Sequence, residues 1–155
     1  MADLMKRATP AGRKQSEKGL AFSKLVKEAL GIYVQLVLVG DKLSADFGLS
    51  SARWQVIGAI QDTSKSVSDI ARERGLARQS VQRIVNALKR QGYVRLTDNP
   101  RHQRAKLVAL TEKGRKALNG VAARQTQWAD QLSQSFQRRE MDVAAAVLNR
   151  LRTLL

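Results

Sequence analysis

Five side chains within nine residues have the chemistry to read the edges of base pairs: Arg78, Gln79, Gln82, Arg83 and Asn86. Arginine offers paired donors to guanine O6 and N7, while glutamine and asparagine offer a donor and an acceptor to adenine N7 and N6. On a helix these five lie off the face marked by Val81, Ile84, Val85 and Leu88, whose i, i+3, i+4, i+7 spacing sets the buried side. Ser80, short and near the start of that helix, is placed to meet a phosphate or a base. A merely solvated face would carry lysine and glutamate in quantity. This one has three amides, two arginines and no acid before Lys89. The chemistry is that of a helix entering the groove of double-stranded DNA.

A second constellation follows. Asp98-Asn99-Pro100 is a turn-forming run, because proline fixes φ and asparagine tolerates unusual turn geometry. Beyond it stand Arg101, His102, Gln103 and Arg104, between two short runs with strand character, 93–97 and 105–110. Arginines at the tip of such a ribbon suit the minor groove and its bordering phosphates, with Arg101 and Arg104 as the candidate contacts. His102 is the sole histidine, and at an exposed basic tip it reads as a phosphate contact or as solvated.

The elements that must position these groups are legible from caps and periodicity. A long helix with a wide apolar face is expected over 20–47, stopped by Gly48. Ser50 is a candidate N-cap for a helix reaching about residue 62, followed by a short turn at 63–65. Ser66 and Asp69 form an S-x-x-D capping pattern for a helix ending at Gly75. The reading helix then runs from about Ala77 to Gln91 and stops at Gly92. Thr111 caps a long helix to about Ser135, and a last helix spans 138–155. The fold class is mainly α with a small β wing: a winged helix–turn–helix with long terminal helices. Residues 1–18 read as a basic arm, and residues 19–155 as a single winged-helix domain.

Composition agrees. Lys and Arg total 28 against 13 Asp and Glu, a net charge of +15, which favours a polyanionic partner. Residues 65–113 alone hold 12 Lys/Arg against 4 Asp/Glu, so the excess falls in the reading head. The absence of cysteine excludes disulfides and thiol chemistry, and one histidine cannot build a His-rich metal site. Neither a catalytic set nor a phosphate-cradling glycine loop is found, so an enzyme is not expected, nor a cofactor. No run of about 18 apolar residues argues for a membrane span, and a cytoplasmic location is the expectation. The competing reading is an architectural or RNA-binding basic protein without ligand response. The amide-rich helix weighs against it, since non-specific binders need only charge and deformability.

The chain also resembles the MarR-type transcriptional regulators. The resemblance is carried by Ser66-x-x-Asp69-Ile70-Ala71, Gly92-Tyr93-Val94, and Arg104-Ala105-x-Leu107-Val108-x-Leu110-Thr111-x-x-Gly114. It implies a homodimer built from the terminal helices (19–47 and 111–155), with 48–110 as the DNA-binding head. It also implies repression through a pseudo-palindromic operator and response to a small aromatic effector. Tyr33, Trp54 and Trp128 are aromatics available to an effector cleft, although aromatics at helical spacing read first as core. Wings of this family carry Asp-x-Arg near the tip. Here Arg104 falls on the arginine, while His102 replaces the acid.

Overall fold

A computed structural model describes residues 14–100 and 105–155. Six helices and three strands follow one another: α1 (Glu17–Ser44), α2 (Ser51–Gly58), β1 (Lys65–Ser66), α3 (Val67–Arg74), α4 (Arg78–Arg90), β2 (Val94–Thr97), β3 (Leu107–Leu110), α5 (Glu112–Ser133) and α6 (Arg138–Leu154). A single 3-10 turn, Ala45–Phe47, extends α1. The chain divides into two compact units. One is Val34–Gln127; the other joins the described residues up to Tyr33 with Trp128–Leu155.

The expected punctuation is present. Gly48 ends the 3-10 turn at φ 68°, a left-handed conformation that glycine adopts without Cβ strain. The Ser50 side chain accepts from the Arg53 N–H at 3.4 Å and starts α2. That helix is shorter than its apolar pattern suggests. After Gly58 the chain tightens, with Ile60 and Gln61 donating to carbonyls three residues back. The tightening turns the backbone toward β1 while keeping Ala59 and Ile60 buried.

Residues 65 and 66, expected partly as turn, form a short strand. β3 is central in an antiparallel sheet of order β1-β3-β2. Lys65 pairs with Val108 and Ser66 with Leu107; on the other edge Val94 pairs with Leu110 and Thr97 with Leu107. Register puts Val94 and Leu96 opposite Leu110 and Val108 on one face, and that face covers the core. The core itself joins Val56, Ile57, Ile70, Val81, Val85, Leu88, Val108 and Val121, all fully buried.

Tyr93 fastens this unit. Its hydroxyl donates to the Phe47 carbonyl at 2.8 Å, and its own carbonyl accepts from the Thr111 N–H at 3.1 Å. The Thr111 hydroxyl in turn accepts from the Gly114 N–H at 3.1 Å, capping α5. Gly114 passes so close to the Tyr93 carbonyl that a side chain has no room.

In the other unit, apolar side chains are left at the surface. Leu20, Phe22, Leu30 and Tyr33 of α1 are exposed, as are Leu132, Phe136, Val143, Leu148 and Leu154 toward the C-terminus. Trp128, Leu132, Phe136, Met141 and Ala144 line an open depression of about 510 Å³.

Candidate nucleic-acid interface

Helix α3, the turn at Gly75 and helix α4 make the helix–turn–helix. Ser66 closes the N-terminus of α3: its hydroxyl oxygen accepts from the Asp69 N–H at 3.2 Å and donates to the Asp69 carboxylate at 2.6 Å. Gly75, at φ 63°, ends the helix, and the Leu76 N–H returns to the Ala71 carbonyl at 2.9 Å. The turn is thereby fixed locally at both ends. α4 starts on Ala77, which carries no capping oxygen.

Val81, Val85 and Leu88 of α4 are fully buried, with Ile84 partly so. The opposite side therefore faces outward. Arg78, Gln79 and Arg83 are exposed and, with half-buried Gln82, line an open depression of about 580 Å³. Asn86 is exposed one turn beyond Gln82, and Gln82 Nε2 donates to Asn86 Oδ1 at 3.0 Å. Ser80 lies half-buried at the edge of the face. Neither Arg78 nor Arg83 has a carboxylate partner among the described residues, whereas Arg72 pairs with Asp69 and Arg74 with Glu73. The cations of α3 are neutralised in place; those of the α4 face are not.

Arg101 and Arg104, with His102 and Gln103, lie outside the described residues. The wing root is described. Lys106 and Asp98 form an ion pair across it, a brace that the sequence reading missed. Beside the root a second depression, about 660 Å³, is lined by Lys65, Asp69, Arg72, Glu73, Asn99 and Pro100. Arg95, which from the sequence flanks the reading helix either as a phosphate contact or as ordinary surface charge, is exposed on β2.

Of the expected effector aromatics, Trp54 packs against the core of Val34–Gln127 and Trp128 lines the apolar depression of the other unit. Tyr33 is 62% exposed. Among the described residues, no group of three or more His, Cys, Asp or Glu side chains is placed to hold a metal ion. No described helix is long and apolar enough to cross a membrane.

The hydrogen bond from the Ser66 hydroxyl holds the Asp69 carboxyl below its ordinary value, partly opposed by burial and helped by the Arg72 charge. A carboxyl depressed in the folded state stabilises above its ordinary pKa of 3.8, and that contribution is lost as pH falls toward the lower folded value. The Asp69 side chain is 46% exposed, so solvent screening limits the effect to under about 1 kcal/mol. Asp69→Asn is expected to lower stability modestly at pH 7 and to flatten the acid limb. Urea titrations of both proteins between pH 7 and pH 2 check this; parallel curves would remove Asp69 from the acid response.

The family model of the MarR family matches residues 47–105. An uncharacterized protein of Mycobacterium tuberculosis is 34% identical over 102 residues, which is 66% of this chain and 71% of that protein. The transcriptional activatory protein BadR of Rhodopseudomonas palustris is 32% identical over 79 residues, 48% of this chain and 45% of that protein. In three dimensions the chain is similar to the transcriptional regulator BldR of Sulfolobus solfataricus, with a TM-score of 0.78 at 18% identity over 87% and 96% of the two chains. A winged helix–turn–helix of this kind defines a DNA-binding transcriptional regulator. This chain belongs to the MarR family of such regulators.

Proposed function

We propose that the protein acts as a homodimer on a pseudo-palindromic operator, repressing transcription until a small aromatic ligand releases it. In this reading 48–110 is the DNA-binding head, 19–47 and 111–155 are the dimerisation helices, and 1–18 is a basic arm. Arg78, Gln79, Ser80, Gln82, Arg83 and Asn86 meet the major groove, and Arg101 and Arg104 of the wing meet the minor groove or its phosphates. The carrying observation is the outward face of α4. Its arginines have no carboxylate partner among the described residues and share one depression with two glutamines. Donors and acceptors are thus presented together, as base-edge reading requires. For the effector, the apolar depression around Trp128 and Phe136 supports an aromatic ligand.

Selection of bound duplexes from random DNA tests the reading. The expected product has two-fold symmetry, with half-site centres about 10 base pairs apart. On the selected duplex, Arg83→Ala is expected to cost about 1–3 kcal/mol and to relax the preference at one position per half-site. Competition binding against random DNA measures it, and an unchanged ratio would exclude Arg83 as a reader. A second reading, activation, is favoured by the activatory role in the name of BadR, the relative 32% identical over 79 residues. Transcription in vitro from a promoter bearing the selected site separates the two: repression lowers the transcript and activation raises it.

A further inference from the structure

Resting on the DNA-reading role proposed above, we propose that Asn86 is a positioning residue, holding the Gln82 amide in the orientation that selects adenine over guanine. Gln82 Nε2 donates to Asn86 Oδ1 at 3.0 Å, across one turn of α4. The i, i+4 spacing makes the two side chains neighbours on the helix surface. One Gln82 N–H is consumed by this bond. Among the described residues its second N–H and its Oε1 have no other partner, and the amide turns over only if the Asn86 amide turns over with it.

That constraint matters because the two purines differ at one edge position. Adenine shows N7 as an acceptor and N6 as a donor; guanine shows acceptors at both N7 and O6. A glutamine amide free to turn over presents a donor or an acceptor to the sixth position with equal ease, so it discriminates little. An amide tethered through its nitrogen keeps Oε1 where N6–H donates, and there guanine O6 would meet oxygen with oxygen. No described neighbour offers the same tether. Arg78 and Arg83 share the depression but carry donors only, and Gln79 makes no hydrogen bond to Gln82 among the described contacts. The tether also fixes a long side chain before DNA arrives, removing an ordering cost from binding.

The experiment uses the full-length protein and the duplex that the wild type selects from random DNA. The adenine read by Gln82 is located as the position whose preference Gln82→Ala abolishes, and a second duplex carries guanine there. Asn86 is exposed, and circular dichroism verifies that the variants keep their helices. Asn86→Ala is expected to reduce the adenine-over-guanine ratio about tenfold. Asn86→Asp, which retains an acceptor oxygen at the same reach, is expected to keep the ratio while weakening both duplexes alike through added negative charge. A wild-type ratio in Asn86→Ala, or a selected site with guanine at that position, would overturn the positioning role and leave the DNA-reading role standing. A wild type that binds selected and random duplexes equally would overturn both.

Discussion

Gly114→Ala is expected to destabilise the DNA-binding head by about 3 kcal/mol, at the upper end of what overpacking a folded interior costs. A Cβ at position 114 would fall far inside contact distance of the Tyr93 carbonyl oxygen, with the Leu110 side chain close on another side. The clash is with backbone, so no rotamer change relieves it. Moving the carbonyl away would break its bond from the Thr111 N–H, and with it the junction of β2, β3 and α5. Guanidinium titration followed by circular dichroism measures the loss. Wild-type stability in Gly114→Ala would mean that the close approach is not a feature of the folded protein. Gly114 ends the Leu107-Val108-x-Leu110-Thr111-x-x-Gly114 string through which the chain resembles its family, and this contact gives that glycine a physical reason.

The other large effect is expected at the terminal helices. The protein should sediment as a dimer at micromolar concentration, and Leu148→Glu should give monomers. Leu148 is 45% exposed on α6, with Val143 and Leu154 also exposed on that helix. Covering a leucine stabilises by about 1.5–3 kcal/mol, and a carboxylate in its place must be desolvated, so each subunit should lose at least about 3 kcal/mol of association. Two-fold symmetry doubles the loss. Analytical ultracentrifugation reads it directly. A wild-type monomer, or a variant that still dimerises, would place these apolar side chains in some other role. Monomers should also lose most selective DNA binding, since each head alone reaches one half-site.

Much of the head is legible in the sequence because its signals are local. Ser50, Ser66, Gly48, Gly75 and Gly92 mark helix boundaries through contacts within five residues of themselves, and the structure uses all of them. The buried face of α4 follows from four apolar residues in two turns. What escapes is non-local. Lys65 and Ser66 become a strand only by meeting Val108 and Leu107, more than forty residues later, and no alternation announces it. The end of α2 at Gly58, where the backbone tightens, is likewise not announced by the apolar pattern, which continues through Ile60. The ion pair of Asp98 and Lys106 needs the wing register, which the sequence does not print. The Gln82–Asn86 bond is different: its i, i+4 spacing is visible in the sequence, but spacing alone does not say whether two amides on a polar face meet each other or reach outward separately.

Tyr93 has a consequence for the order in which the protein is made. It ties Phe47, 46 residues upstream, to Thr111, 18 residues downstream. At a synthesis rate of about 5–20 residues per second, Phe47 waits about 2–9 s for Tyr93 to be added. All of α1, with its exposed leucines and Phe22, is already translated during that wait. The exposed apolar side chains of α1 are therefore made before the part that organises the head. Expression conditions that slow elongation lengthen this interval, and with it the time in which nascent chains on neighbouring ribosomes can meet through α1.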